Sequence, residues 1–267
     1  MREVIIRALS GLLYVSCLLL AIFSLEKAYL LLIFAFGIVC LYEFLKLIHI
    51  RSWLPYFLLT LCTVLFYYYR SWKYVTFLFL VLSIATNLFL IKNLIRPVDH
   101  QQTYIQKYGI TLFYLIGGVV FTMLLPSYKG EYTSYLVASV FALIWINDTF
   151  AFIVGKSVGK HKLLERISPK KTIEGFVGGL FFSVIASIFI YRYTQLLSLQ
   201  LWITVAIVTA VFGTLGDLIQ SQLKRKAGVK DSGQLIPGHG GFYDRLDSII
   251  FASPFIYLLL IVLDYVP

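Results

Sequence analysis

The chain has 267 residues, of which 60% are hydrophobic and only 13% charged, about half the charged share of an ordinary soluble domain. Apolar stretches recur from end to end, which excludes a soluble globular protein, a collagen-like chain and a disordered one. The net charge of +10 could serve nucleic acid, but a chain this apolar uses its cations for loop orientation and anionic ligands at a membrane, so no nucleic-acid partner is expected.

A transmembrane helix needs about 20 predominantly apolar residues. In chain order, windows meeting that criterion fall at roughly 5–24, 28–45, 52–69, 74–91, 108–125, 135–154, 175–191, 196–216 and 248–265. They predict an all-α fold, a polytopic transmembrane helical bundle of about nine spans. The first window follows Arg2 and Arg7 as a signal peptide would, but its apolar run is too long and no small-residue cleavage site is clear. Glu43 and Lys46 interrupt the end of the second window, and Pro55 opens the third. Cys17, Cys40 and Cys62 lie inside apolar runs without metal-ligand spacing and read as small buried hydrophobes.

Sorting the 23 Lys and Arg residues by the parity of these spans puts eighteen on one side. Five fall on the other: Lys27, Arg70, Lys73, Lys129 and Arg192. Positive loops are retained in the cytoplasm, so the loops at 155–174 and 217–247 are expected there and the C-terminus on the far side. Polar residues are scattered over 1–107, the N-terminal transmembrane helices. From Asn147 onward carboxylates, lysines and glycines concentrate, which makes 108–267 the expected catalytic region.

Asp148 lies inside the sixth span, where a carboxylate costs roughly 2.5–3.5 kcal/mol unless a partner, a cation or a wet cavity offsets it. A helix-helix hydrogen bond would explain it structurally, but intramembrane carboxylates default to function. The loop that follows runs Gly155-Lys156-Ser157-Val158-Gly159-Lys160-His161, then Ser168-Pro169-Lys170-Lys171-Thr172-Ile173-Glu174-Gly175. Three residues between its first two glycines, and His161 after the lysine, exclude a Walker A loop. Its cations and glycines ahead of a helix N-terminus still suit a polyphosphate, although a topogenic or lipid-binding basic loop would have the same composition.

Asp217 ends the eighth span, and Asp244 and Asp247 share one face if they begin the last helix. All three could meet at the cytoplasmic edge, offering the hard oxygens that Mg²⁺ takes together with substrate phosphates. Helix capping would account for Asp244 and Asp247. It would not account for Asp217 or the lysine-rich segment between them.

That segment reads Ser221-Gln222-Leu223-Lys224-Arg225, then Lys230-Asp231-Ser232-Gly233, Ile236-Pro237-Gly238-His239-Gly240-Gly241 and Asp244-Arg245-Leu246-Asp247. It resembles the signature of the phosphatidate cytidylyltransferases, or CDP-diacylglycerol synthases. Asn147-Asp148 and the Ser168 to Gly175 stretch resemble the same family, so the resemblance covers the chain while its discriminating motifs occupy the second half. Gln220 stands where that family commonly has an acidic residue.

The resemblance implies transfer of the cytidylyl group of CTP to phosphatidic acid with Mg²⁺, and it leaves room for a second, monovalent cation. It implies Asp217, Asp244 and Asp247 as metal ligands, and Lys170, Lys171, Lys224, Arg225 and Lys230 as the cations facing CTP and pyrophosphate. Asn147, Asp148, Asp231 and His239 would position substrate or metal. It further implies a homodimer in the cytoplasmic membrane of a bacterium, with the site toward the cytoplasm and open to membrane lipid. Two alternatives share parts of the pattern: a CTP-dependent transferase or kinase acting on another lipid and, more remotely, a secondary transporter with Asp148 and Asp217 as ion sites.

Overall fold

A computed structural model describes residues 2–68, 72–95, 103–233 and 240–263. The helices follow the apolar windows in order: α1 (Arg2–Phe23), α2 (Glu26–Leu47), α3 (Leu54–Tyr68), α4 (Lys73–Leu94), α5 (Tyr104–Ser127), α6 (Ser134–Val158), α7 (Ile173–Thr194), α8 (Leu199–Lys226) and α9 (Tyr243–Leu263). Seven of them, α2 and α4 to α9, are long and apolar enough to cross a membrane. The apolar part of α1 (Leu9–Phe23) and α3 are shorter. Large apolar side chains such as Leu20, Leu31, Phe57, Phe181 and Phe189 stand exposed around the bundle, an arrangement that lipid tails satisfy and water does not. The protein is an integral membrane helical bundle.

Two boundaries differ from the hydropathy windows, and both bear on the site. α8 runs ten residues past 216, and α9 begins at Tyr243 rather than 248, so the connection between them shortens to 227–242. At 1.5 Å per residue the 28-residue α8 is about 42 Å long, against a hydrocarbon core of about 30 Å. Its last turns project beyond that core, where polar residues carry no penalty and Lys224, Arg225 and Lys226 complement the helix C-terminus. Likewise the 155–174 loop is partly ordered. α6 continues to Val158, and an antiparallel hairpin of β1 (Lys162–Leu164) and β2 (Ser168–Thr172) pairs Lys162 with Thr172 and Leu164 with Ser168. The Thr172 hydroxyl accepts the Gly175 amide at 3.1 Å and caps α7.

α6 and α7 pack closely because α7 lacks Cβ atoms at the crossing. A side chain at Gly179 would overlap the Asn147 backbone carbonyl and side chain, the small-residue contact that membrane helices use. In α5 the ladder loosens into a π turn over Thr111–Ile116, a deviation that often marks functional regions. It carries Tyr114, whose buried hydroxyl hydrogen-bonds that of Tyr243 at the start of α9.

The cation sorting predicts opposite sides for the β hairpin and the α5–α6 turn. Single cysteines replacing Lys162 and Lys129, in a background lacking Cys17, Cys40 and Cys62, are expected to react with an impermeant thiol reagent from opposite faces of sealed vesicles. Labelling from one face would break the span count between them.

Candidate active site

Four chain segments converge where the hairpin meets the long helices. β strands alternate their side chains between two faces, and β2 uses this to separate its lysines: Lys170 is exposed, while Lys171 turns inward to an ion pair with Asp217 of α8. Lys171 is also within electrostatic reach of Asp148 and Asp247. Asp148 sits ten residues before the end of α6, about 15 Å at helical rise, yet its side chain is solvent-accessible. Asn147 donates to the Asp148 carboxylate at 3.3 Å, and its own amide oxygen is buried without a partner. Asp247 is 6% exposed, and one of its oxygens accepts the Ser248 amide at 2.7 Å.

Asp148, Asp217 and Asp247 thus share the fields of Lys171 and, for Asp247, Lys224. Three carboxylates outnumber two lysines, one of which is bonded elsewhere. Among the described residues no three His, Cys, Asp or Glu side chains form a ready metal cage. Mg²⁺ does not require one, since one or two carboxylates suffice when phosphates and waters complete its octahedron. The hard oxygens and the excess negative charge of this cluster fit such an ion.

Asp244 is placed differently. Its Oδ1 accepts Lys224 Nζ at 2.6 Å and Gln220 Nε2 at 2.9 Å, and its Oδ2 accepts the Ser232 amide at 3.1 Å and the Gly241 amide at 3.0 Å. A carboxylate offers about four lone-pair positions, and these donors fill them. Asp244, expected beside Asp217 and Asp247 as a metal ligand, here forms a latch that fixes Lys224 and ties Ser232 and Gly241 to α9. Gln220 supplies a neutral donor to that latch, where an acid would face Asp244 with like charge.

The loop between α8 and α9 is held by a residue the motif does not contain. Glu43 of α2 is 1% exposed. It accepts Ser232 Oγ at 2.6 Å, the Phe242 amide at 3.0 Å and the Tyr243 amide at 2.9 Å. The first amides of a helix lack intrahelical partners, and here a carboxylate from a distant helix caps α9 and opposes its positive end. Gly233 and Gly241 permit this approach, because a Cβ on either would run into the Glu43 carboxylate. Glu43→Gln turns an amide N–H₂ toward these donors and is expected to lower stability by about 2–3 kcal/mol, read as a lower thermal midpoint in detergent. An unchanged midpoint would reject the cap.

A family model described as "Cytidylyltransferase family" matches residues 5–263. The chain belongs to the cytidylyltransferase family. Among its relatives, the phosphatidate cytidylyltransferase of Staphylococcus aureus (strain COL) is 46% identical over 135 residues, which are 50% of this chain and 51% of that protein. That of Staphylococcus haemolyticus is 47% identical over 128 residues, 48% of this chain and 49% of that protein. That of Staphylococcus saprophyticus is 44% identical over 140 residues, 52% and 54% of the two chains. The chain spans about half the length of the curated relatives it matches.

In this cytidylyltransferase-family chain the motif residues fall into three groups. Asn147, Asp148, Lys171, Asp217 and Asp247 come together, and Lys224 joins them through Asp244. The Arg225 guanidinium donates to the Val229 carbonyl at 3.3 Å, at the end of α8. Lys170 is exposed and, among the described residues, makes no ion pair; Lys230 and Asp231 line a separate cavity. His239 lies outside the described residues. Glu174 accepts the Lys160 and His161 amides and, at 2.6 Å, the His161 ring, so this motif acid folds the loop that carries Lys171.

Proposed function

We propose that this protein is a phosphatidate cytidylyltransferase: it transfers CMP from CTP to phosphatidic acid, yielding CDP-diacylglycerol and pyrophosphate for phospholipid synthesis. The observation that carries the reading is the pair of lysines, Lys171 and Lys224, within the fields of Asp148, Asp217 and Asp247. The names of the relatives supply the substrates.

A phosphate monoester has its second pKa near about 6, so the attacking oxygen of phosphatidic acid is already anionic at neutral pH. It attacks the α-phosphorus of CTP, the bond to the β-phosphate oxygen breaks, and pyrophosphate leaves with the electron pair. The obstacle is repulsion between anions. Catalysis is therefore alignment and charge neutralisation. Lys171 and Lys224 neutralise the phosphates, Asn147 offers its unpartnered amide oxygen and Asp148 lines the lipid approach. Asp217 and Asp247 would hold Mg²⁺, which would supply positive charge to offset that of the phosphates. A monovalent second cation and a homodimer belong to the same reading, as does a cytoplasmic-facing site in a bacterial cytoplasmic membrane.

The test incubates purified protein with phosphatidic acid, Mg²⁺ and CTP labelled at either the α- or the γ-phosphate. Lipid labelled from the α-position with pyrophosphate release is expected. Label from the γ-position would make it a lipid kinase, and no labelled lipid would favour a transporter.

A further inference from the structure

A helix start needs only a local acceptor. Ser, Thr, Asp or Asn at the residue before α9 would serve its first amides. That residue is Phe242, and the acceptor is instead a carboxylate brought from α2 and buried at 1% exposure. Burying a charge is expensive unless donors surround it. Glu43 has such donors, and a cap built this way does what a local one cannot: it fixes the start of α9 relative to α2.

α2 grips the same point with two further side chains. Phe36 packs on Phe242 with ring centroids 4.4 Å apart, and the Phe44 and Tyr243 rings meet at right angles at 5.9 Å. Residues 36, 43 and 44 follow the i, i+7, i+8 spacing of one helix face, so a face of α2 is turned to the first residues of α9. Ser232 is shared between two carboxylates: its hydroxyl donates to Glu43 at 2.6 Å and its amide to Asp244 at 3.1 Å. The Gly241 amide donates to Asp244, and the next two amides donate to Glu43. Glu43 and Asp244 thus hold the same two stretches of backbone, at 232 and at 241–243, and a shift of one carboxylate is passed to the other.

Asp244 in turn accepts Lys224 Nζ at 2.6 Å. A lysine on its four-carbon stem samples many rotamers when nothing holds it. Here both partners are 12% exposed, and the place of the ammonium is set by where Asp244 stands. We propose that Glu43 is a positioning residue for the transfer: through Ser232 and the start of α9 it sets Asp244, and through Asp244 the ammonium of Lys224. This rests on the function proposed above, in which Lys224 neutralises the phosphates. It gives α2, which lies outside the motifs, control of the chemical step rather than of substrate capture. A lysine displaced by about 1 Å still attracts CTP, because Coulomb energy changes slowly with distance. It no longer meets the charge that gathers on the phosphates in the transition state, where such a displacement costs up to about 10²-fold.

Two readouts on the purified full-length protein test this, at a temperature where thermal midpoints show each variant folded. The first is the rate at which an amine-acylating reagent modifies Lys224, taken relative to exposed Lys170 by mass spectrometry. Glu43→Gln is expected to raise that ratio about tenfold, the effect of losing roughly one charge-assisted hydrogen bond. The second is the kinetics of CDP-diacylglycerol synthesis. Glu43→Gln is expected to lower kcat by about 10–100-fold with KM for CTP and for phosphatidic acid unchanged. In a Lys224→Ala background it is expected to lower kcat no further, since residues acting as one unit are not additive. Ser232→Ala removes one donor to Glu43 and keeps the amide on Asp244; it is expected to show the same pattern with a smaller loss, and it decides the matter where Glu43→Gln does not fold. An unchanged labelling ratio, normal kcat in the folded variant, a loss confined to KM, or losses that multiply with Lys224→Ala would each overturn the proposal and leave Glu43 a cap. Wild-type protein that makes no CDP-diacylglycerol would reject the function instead, and the labelling ratio alone would then decide whether Glu43 sets Lys224.

Discussion

Asp247→Asn is expected to lower turnover by about 10²–10³-fold while leaving the protein at least as stable as wild type. Asp247 is buried within the fields of Asp148 and Asp217, so neutralising it relieves like-charge repulsion in the free protein. The Ser248 amide, which Asp247 accepts, is equally well served by an Asn oxygen. What the substitution removes is a hard anionic oxygen, which Mg²⁺ needs and a cap does not. An N-cap would tolerate the change, since Asn and Asp cap about equally well. In any case the Gly241, Phe242 and Tyr243 amides at the start of α9 are already taken by Asp244 and Glu43. A second readout separates metal binding from chemistry. Mg²⁺ with CTP is expected to raise the thermal midpoint of the wild type, as any ligand of the native state does, and to do so much less in the variant. Full activity of Asp247→Asn at low Mg²⁺ would end the metal assignment, and a collapse in stability would make Asp247 structural.

The parts of this site that were legible in the sequence are those whose signal is local. Hydropathy placed every helix because lipid demands a continuous apolar run. The motif from Ser221 to Asp247 could be read because its residues are close in the chain. Glu43 could not be read. Its partners are 189 to 200 residues away, and with Lys46 three positions on it looks like an ordinary pair on one face of a helix end. Asp244 was legible as a carboxylate but not as a saturated one, because spacing counts acids and not the donors that fill their lone pairs. The extension of α8 to Lys226 was hidden because hydropathy ends where the hydrocarbon ends, while the backbone ladder continues into the interface.

The hairpin offers a sharper test, because β2 holds two adjacent lysines in different settings. Lys171→Ala is expected to lower kcat by about 10²-fold or to raise KM for CTP, and Lys170→Ala to do much less. Lys171 faces Asp217 and the neighbouring carboxylates, so its loss leaves three anions with less opposing charge where two phosphate-bearing substrates must meet. Phosphates that gather charge in the transition state feel that loss whatever lipid surrounds the protein. A lysine serving only to attract the membrane surface would behave otherwise. Its removal would shift the dependence on anionic lipid and on salt, because surface attraction is screened over about 10 Å at 0.1 M ionic strength. The measurement is therefore CTP kinetics of both variants in neutral and in anionic bilayers. Equal impairment of Lys171→Ala in the two bilayers places its ammonium on the nucleotide phosphates. Unchanged CTP kinetics with an altered lipid-charge dependence would return the hairpin to a purely topogenic role and leave Asp217 without its catalytic partner.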